Sequence, residues 1–148
     1  MSSERQHGVK LLPSIALQRI HSSQRYTPAQ NTFPRLLLEH AKARPDAAAL
    51  REKEYGIWQA LTWRQLAALV KKLANGLAAA GLQRGQHIVV IGENRPRLYA
   101  SMLAAQALGA IPVPLYQDAA ATEFVFPIVN AEVAFAIVED QEQVDKLL

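Results

Sequence analysis

One stretch of the chain, IVVIGENRPRLYASMLAAQALGAIPVPL, restricts the possible folds more than any other. It opens at residues 88–91 with an apolar run that does not alternate, which is typical of a strand covered on both faces in a parallel sheet. Residues 95–108 predict a helix that Gly109 closes, and residues 111–115 predict a second strand. A strand, a helix and a strand in this order form a right-handed βαβ unit. Small side chains would let the helix lie close to the sheet, namely Ala100, Ala104, Ala105 and Ala107.

Two prolines restrict the place of the second strand in the sheet. Pro112 and Pro114 are two positions apart, so their backbone groups are directed to the same side of a parallel strand. Neither residue has an N–H group to donate. We therefore expect this strand at an edge of the sheet, or where strand pairing ends.

The residues after the second strand continue the alternation of helix and strand. Residues 122–130 predict a helix that Pro127 should kink, because proline cannot donate the helical hydrogen bond. Residues 133–138 predict a third strand. Asp140 and Gln143 have the spacing of a capped helix start. The apolar face of this last helix is predicted to consist of Val144, Leu147 and Leu148.

A tail, a helix and a β-hairpin are predicted before the sheet. Residues 1–31 have no sustained periodicity and are interpreted as an N-terminal tail. Thr32 is the candidate cap of a helix that Pro45 ends. The two short arms around Tyr55 and Gly56 predict the hairpin, with a positive φ at the glycine.

The helix after the hairpin has the clearest local signals. Thr62 and Gln65 have the spacing of a capping box, and Leu61 and Leu66 that of a hydrophobic staple. Gly81 can adopt the left-handed conformation that ends a helix. The predicted apolar stripe consists of Leu66, Leu69, Val70, Leu73 and Leu77. The sequence thus predicts an α/β fold: an incomplete parallel sheet of βαβ units flanked by helices, preceded by a helix and a β-hairpin.

Composition excludes several classes of protein. The chain has 148 residues, of which 50% are hydrophobic, and this suffices for one globular domain. It has no cysteine, which excludes disulfides, zinc–thiolate sites and a thiol nucleophile. No run reaches the roughly 18 apolar residues of a transmembrane span, and the N-terminus lacks the apolar stretch of a signal peptide. We therefore expect a cytoplasmic protein without a transmembrane segment.

Charge is distributed unevenly along the chain. Residues 1–100 carry 15 Lys and Arg against 6 Asp and Glu, whereas residues 101–148 carry 1 against 7. The basic residues are scattered singly among apolar ones and form no dense tract of the kind that binds nucleic acid. We interpret them as solvated helix faces and expect no nucleic-acid partner.

The polar elbow after the first strand is the one place where a ligand site can be considered. Asn94, Arg95 and Arg97 stand at a helix N-terminus and at the carboxyl end of a strand, where an anion could bind. We interpret Asn94 as a helix cap and the arginines as solvated. Glu93 and Asp118 could act as paired carboxylates in acid–base chemistry, but nothing in the sequence places them together, and we interpret them as surface acids.

No complete catalytic motif is present. GENRP is neither a phosphate-binding Walker loop nor a dinucleotide fingerprint, and the chain has no GxSxG or HExxH motif. No metal-ligand spacing relates the four histidines, His7, His21, His40 and His87.

Three ordered blocks nevertheless resemble a known family. ALTWRQL, then LANGLAAAGLQRGQHIVVIGENRPRLYASMLAAQALGAIPVPLYQDA, then AEVAFAIVEDQEQVDKL are similar to the opening of the AMP-forming acyl-CoA synthetases, the adenylate-forming ligase superfamily, and most similar to its long-chain fatty acid branch. The resemblance implies an enzyme that converts a carboxylic acid and Mg-ATP into an acyl-adenylate and pyrophosphate, after which CoA displaces AMP. It also implies a large N-terminal domain that holds the acid and ATP, and a small C-terminal domain that supplies a catalytic lysine.

The resemblance also implies what the chain lacks. The phosphate loop, the adenine and magnesium motif, the ribose-binding aspartate and the catalytic lysine of the family all lie beyond the part that is matched. We therefore assign no catalytic, cofactor-binding or metal-binding residue, and ATP, Mg²⁺ and CoA are implied for the complete enzyme alone. The implied domains are a tail at residues 1–31 and, at residues 32–148, the N-terminal part of an adenylate-forming domain. Peripheral association of the complete enzyme with a membrane stays open.

Two main hypotheses about function follow, and a third, a small ATP-binding domain in its own right, is the weakest because the sequence has no phosphate-cradling loop. The first is an N-terminal fragment of a long-chain acyl-CoA ligase, inactive alone, whose partner is the remainder of the adenylation domain. The alternative is a free-standing α/β binding or interaction module without catalytic activity. Because the predicted sheet is small and the last helix is short, we expect exposed apolar surface near the C-terminus and self-association of the isolated chain.

Overall fold

The computed structural model describes residues 32–148, so the predicted tail at residues 1–31 lies outside the described residues. A helix and a hairpin precede an alternating series of helices and strands, as the sequence predicts. The elements are α1 (Phe33–Ala43), β1 (Ala48–Glu54), β2 (Ile57–Thr62), α2 (Trp63–Ala79), β3 (His87–Ile91), α3 (Pro96–Ala107), β4 (Ile111–Leu115), α4 (Ala121–Asn130), β5 (Val133–Val138) and α5 (Gln141–Asp145).

Among residues 32–148 the central sheet has three parallel strands in the order β4-β3-β5. The edge position predicted for β4 is confirmed. Pro112 is opposite Ile88, and Pro114 is opposite Val90. Since Ile111 donates its N–H toward β3, to the carbonyl of Gln86 at 2.9 Å, the two prolines face the other side of β4. The absence of their N–H groups therefore removes no hydrogen bond between β4 and β3.

Helices cover both faces of β3, and its residues 88–91 are at most 1% exposed. On one face, α3 approaches closely because Ala100, Ala104 and Ala105 have no exposed area. On the other, Phe124 of α4 packs with Val89 and Ile91. The prediction of a strand buried on both faces is thus confirmed. Ala107 was predicted to face the sheet and is instead exposed, because it lies in the last turn of α3, away from the contact.

The capping box predicted for α2 is confirmed. Thr62 Oγ1 accepts a hydrogen bond from the N–H of Gln65 at 3.3 Å, and the Gln65 side chain accepts one from the N–H of Thr62 at 2.9 Å. At the other end Gly81 has a φ of 97°, and the N–H of Leu82 bonds to the carbonyl of Leu77 at 3.0 Å. The N–H of Gly81 also bonds to the carbonyl of Ala78 at 3.0 Å, and the two bonds form a Schellman motif, which satisfies carbonyls that the helix end leaves without partners.

The first helix and the hairpin follow the prediction with one difference. Thr32 occupies the cap position of α1, but its side chain makes no capping hydrogen bond. The β1–β2 turn consists of Tyr55 and Gly56, whose φ angles are 48° and 81°. Positive φ at both central residues is what the tight hairpin turn that matches the twist of the strands requires.

The C-terminal helix differs from its predicted apolar face. Asp140 caps α5 by accepting a hydrogen bond from the N–H of Gln143 at 3.1 Å, as predicted. Gln143 itself is buried at 3% exposure, whereas Leu148 is fully exposed. Leu147 packs near Phe124 under the sheet. The predicted stripe is wrong at Leu148 because α5 ends at Asp145, so helical spacing does not extend to the last residues.

Candidate functional site

A cleft of about 550 Å³ lies where β3 and β5 end. Because β4 pairs with one side of β3 and β5 with the other, the direction of the strand order reverses at this point. Open α/β sheets commonly bind ligands at such a point. Strand β1 and helix α2 also contribute to the lining. The polar residues that line the cleft are Glu52, Glu54, Glu93, Arg95, Arg97, Ser101 and Glu139.

Three charged side chains interact at this cleft. Arg95 Nε donates to Glu93 Oε2 at 2.6 Å and lies 3.5 Å from Glu139 Oε1. Glu139 Oε2 accepts a hydrogen bond from the backbone N–H of Glu93 at 2.5 Å. The hydrogen bond to Glu93, together with the negative charges of Glu93 and Glu139, raises the pKa of Arg95. An arginine beside the positive end of a helix is unfavourable without an anion, and here the anions are carboxylates of the protein itself.

A glycine permits this arrangement. A Cβ atom at position 92 would lie 2.8 Å from Glu139 Oε2, closer than real Cβ contacts, and 3.0 Å from Glu139 Cβ, which is tighter than most of them. Gly92 therefore leaves the space into which the Glu139 side chain extends. A glycine directly after a buried strand is a signal of close approach that the sequence offered, although the approaching residue could not be read from it.

The prediction that Asn94 caps α3 is wrong. The helix begins at Pro96, one residue later than predicted, so Arg95 occupies the cap position, with an extended backbone and no capping bond from its side chain. Arg95 has no acceptor oxygen in its side chain, and Asn94 is one residue too far from the first turn. Asn94 Oδ1 instead lies 3.4 Å from the hydroxyl of Tyr99, which donates to it.

Some of the other residues that the sequence offered as candidates line the polar cleft, and some do not. Glu93 and Asp118 are both exposed, and only Glu93 lines the cleft. Arg97 is exposed and lines the cleft, whereas Arg95 is engaged with carboxylates and is not simply solvated. Among residues 32–148 no group of His, Cys, Asp and Glu side chains could hold a metal ion. His7 and His21 lie outside the described residues.

A second cleft, of about 420 Å³, is predominantly apolar and was not anticipated from the sequence. It lies between α1, β1, the first turn of α2 and α3. His40 and Trp63 stand at its wall with ring centroids 4.5 Å apart, and the guanidinium of Arg44 lies 5.2 Å from the centre of the Trp63 ring. The apolar lining includes Phe33, Leu37, Leu66, Met102 and Leu103.

Several groups that line the polar cleft are bonded within the protein itself. Glu93, Arg95 and Glu139 bond to one another or to the backbone, and Ser101 Oγ donates to the carbonyl of Arg97 at 2.9 Å. These contacts connect the carboxyl ends of β3 and β5.

In the described part of the chain, the helices are too short or too polar to cross a bilayer.

The fold is that of the N-terminal domains of adenylate-forming ligases. NpsA of Klebsiella oxytoca, solved with 3-hydroxyanthranilyl-AMSN, is 27% identical with a TM-score of 0.67 over 72% of this chain and 21% of NpsA. CmiS6 is 25% identical with a TM-score of 0.70 over 76% of this chain and 29% of CmiS6. A fatty acyl-adenylate ligase of L. pneumophila has a TM-score of 0.69 over 78% of this chain and 21% of that protein, at 18% identity, and supports the fold alone.

Sequence comparison gives the family. Residues 37–148 match the family model for the AMP-binding enzyme, and the chain belongs to that family. The uncharacterized protein Rv1549 of Mycobacterium tuberculosis is 36% identical over 103 residues, which are 70% of this chain and 57% of Rv1549.

Longer relatives carry functional names. The fatty acid–[acyl-carrier-protein] ligase MmaC of Mycobacterium marinum is 40% identical over 52% of this chain and 14% of MmaC. The long-chain-fatty-acid–CoA ligase ACSBG2 of Mus musculus is 31% identical over 79% of this chain and 18% of ACSBG2. The chain therefore spans about half of its short relative and less than a fifth of these ligases.

Proposed function

We propose that this chain forms the N-terminal part of the adenylation domain of a ligase that activates a long-chain carboxylic acid with ATP. The product of that step would be an acyl-adenylate, and the acyl group would then be transferred to CoA. The observation that carries the proposal is the match of residues 37–148 to the AMP-binding enzyme family. The α/β unit with its βαβ order supports the same placement.

The names of the relatives support a fatty acid as the substrate class. MmaC and ACSBG2 are named for ligation of fatty acids, as is the medium/long-chain ligase FadD10 of Mycobacterium tuberculosis, which is 34% identical over 76% of this chain. A feruloyl-CoA synthase of Amycolatopsis is 36% identical over 53% of this chain, so aryl acids belong in the test.

The thiol that accepts the acyl group is less uniform among the relatives. ACSBG2 is named for CoA, whereas MmaC and FadD10 are named for the acyl-carrier protein. CoA is the proposed acceptor. An assay that offers CoA and an acyl-carrier protein side by side to the complete enzyme distinguishes them.

The proposed role of residues 32–148 is that of scaffold. The Glu93–Arg95–Glu139 cluster is internally paired and fixes the strand ends, and we assign it no contact with substrate. The sites for ATP, Mg²⁺ and CoA are proposed to lie in the rest of the adenylation domain. A cytoplasmic location, compatible with peripheral membrane contact of the complete enzyme, belongs to the same proposal.

The first test is an activity assay of the isolated chain, which we expect to be inactive. The purified 148-residue protein, given Mg-ATP, labelled pyrophosphate and a fatty, short-chain or aryl acid, should show no acid-dependent exchange of pyrophosphate into ATP. MmaC serves as the positive control under the same conditions. Exchange clearly above the buffer value would contradict the fragment proposal and would direct attention to the polar cleft.

The alternative, a free-standing interaction module, has one structural observation in its favour, since residues 32–148 form three packed apolar clusters of their own. A chimera separates the two functions. Residues 32–148 replace the corresponding part of ACSBG2, and a folded chimera should retain acyl-CoA formation if the scaffold proposal is right. A folded chimera that binds ATP but forms no acyl-adenylate would favour the module.

A further inference from the structure

The apolar cleft beside Trp63 lies between one face of α1 and one face of α3. The residues of α1 that line it are Phe33, Leu36, Leu37 and His40. Their spacing, i, i+3, i+4 and i+7, is that of a single helix face. Tyr99 and Met102 are part of the wall that α3 contributes. The cleft is thus built by elements that precede β4, and neither β5 nor α5 contributes to it.

In the described part of the chain the apolar lining of this cleft is partly open to solvent. Phe33 is 68% exposed and Tyr99 is 40% exposed. Leu36 and Met102 are half-buried. Contiguous apolar side chains in contact with water mark an interaction site, because monomeric proteins keep such surfaces small. The cleft is therefore a candidate docking surface.

The cleft is close to one end of the described residues and away from the other. Phe33, in its lining, directly follows Thr32, so residues 1–31 are attached to the fold beside the cleft. Leu147, near the other end, packs with Phe124 on the face of the sheet that α4 covers. The cleft lies on the side of α3, across the sheet from these two residues.

The sequence before Thr32 contains one stretch with the composition that an apolar cleft accepts. In residues 9–17, VKLLPSIAL, only Lys10 and Ser14 are polar. The 14 residues 18–31 separate this stretch from Thr32. A flexible chain of that length spans roughly 20 Å, whereas the face of α1 in the cleft extends over about 10 Å. The stretch can therefore reach the cleft, and its attachment gives it an effective concentration of about millimolar, so a weak contact suffices.

We propose that residues 9–17 of this chain occupy the apolar cleft between α1 and α3. The contact removes apolar side chains of both partners from water, which is the force that drives it. It makes the N-terminal stretch part of the packed structure of this chain. The inference goes beyond the proposed function, because it concerns a contact within the chain and not the ligase reaction, and either can fail while the other stands.

A spin label in the stretch tests the contact in the 148-residue protein. The chain has no cysteine, so Ser14→Cys takes a nitroxide at that position alone. It has two methionines, Met1 and Met102, so the methyl signal of Met102 is readily assigned by NMR. The label should cause loss of the Met102 signal, which returns when the nitroxide is reduced. A label at Val125→Cys, which is 60% exposed on α4, is the control and should leave the signal sharp. No loss from position 14, or equal loss from position 125, overturns the inference.

Two variants with the same added charge show whether the apolar stretch makes the contact. Leu12→Asp combined with Ile15→Asp should restore the Met102 signal in the protein labelled at position 14, because burying unpaired carboxylates is unfavourable. Gln18→Asp combined with Gln24→Asp adds the same charge between the stretch and Thr32 and should leave the signal lost. All four positions precede the described fold, whose residues stay unchanged. A signal that stays lost in the first variant overturns the inference. So does loss of the signal when nitroxide and labelled methionine are on different molecules, which would make a second copy the occupant.

Discussion

The Oε2 atom of Glu139 accepts a hydrogen bond from the backbone N–H of Glu93 at 2.5 Å, although the two residues are 46 positions apart. This contact joins the residue that follows β5 to the loop that follows β3. It also brings a second carboxylate within 3.5 Å of Arg95, which Glu93 already binds. The loop between β3 and α3 is therefore fixed from a distant part of the chain.

Glycine at position 92 should be required by this contact. Gly92→Ala is expected to lower the free energy of unfolding by about 1–3 kcal/mol, because the new Cβ meets Glu139 at 2.8–3.0 Å. Gly76→Ala is the matched control. Position 76 lies within α2, where the added Cβ meets nothing within 4 Å apart from the backbone of its own helix, and alanine there should stabilise by about 0.5–1 kcal/mol. Urea denaturation measures both, and equal effects of the two changes would contradict the close-approach account.

Asn94 and Thr62 should differ sharply as substitution sites. Thr62→Ala removes a capping oxygen and is expected to cost about 1 kcal/mol of stability. Asn94→Ala removes only the long contact with Tyr99 and should stay within about 0.5 kcal/mol of the parent. Thermal and urea unfolding of both variants provide the comparison. A loss at Asn94 as large as that at Thr62 would restore the capping role that the sequence suggested.

Amide hydrogen exchange should alternate along β5. The N–H groups of Phe135 and Ile137 face β3 and should exchange slowly, whereas those of Ala136 and Val138 face away and should exchange fast. Residues 66–77 of α2 should be the better protected reference, and α5, with five residues, should exchange faster than they do. Protection at Ala136 equal to that at Ile137 in a monomeric sample would show that the outer edge is already paired.

The buried glutamine of α5 should be replaceable by an apolar residue. Gln143 is 3% exposed, and its Oε1 atom has no hydrogen-bond partner within the described residues. An unsatisfied buried carbonyl oxygen costs about 1–3 kcal/mol, so Gln143→Met is expected to raise stability, on the order of 1 kcal/mol. Exposed Gln141→Met is the control and should change little. Destabilisation by Gln143→Met would show that the amide has a partner, such as a buried water molecule.

The sequence predicted the features whose causes are local. Thr62 and Gln65 are three residues apart, and the bonds that they make need no other part of the chain. The continuous apolar run before Gly92 predicts burial on both faces without reference to other residues. The two prolines of β4 likewise predict its edge position. By contrast, the start of α3 depended on Pro96 taking the first helical position, which displaced Asn94 from the cap.

Features that join distant residues could not be predicted from the sequence. No local pattern reveals that Glu139 extends over Gly92, because the contact exists only when β5 pairs with β3. The burial of Gln143 likewise depends on how α5 lies against the sheet. It is contrary to the exposed position that a polar side chain predicts. The apolar cleft beside Trp63 is formed by residues of α1, β1, α2 and α3, and no single segment of the sequence indicates it.

The order of strands in the sheet also has a consequence for synthesis of the chain on the ribosome. The central strand β3 is made first, its partner β4 next and its other partner β5 last. At a synthesis rate of about 5–20 residues per second, one side of β3 waits roughly 2–9 seconds for its partner. During that interval a strand that is buried on both faces in the finished fold has an unpaired edge, and such transiently exposed edges are prone to aggregate.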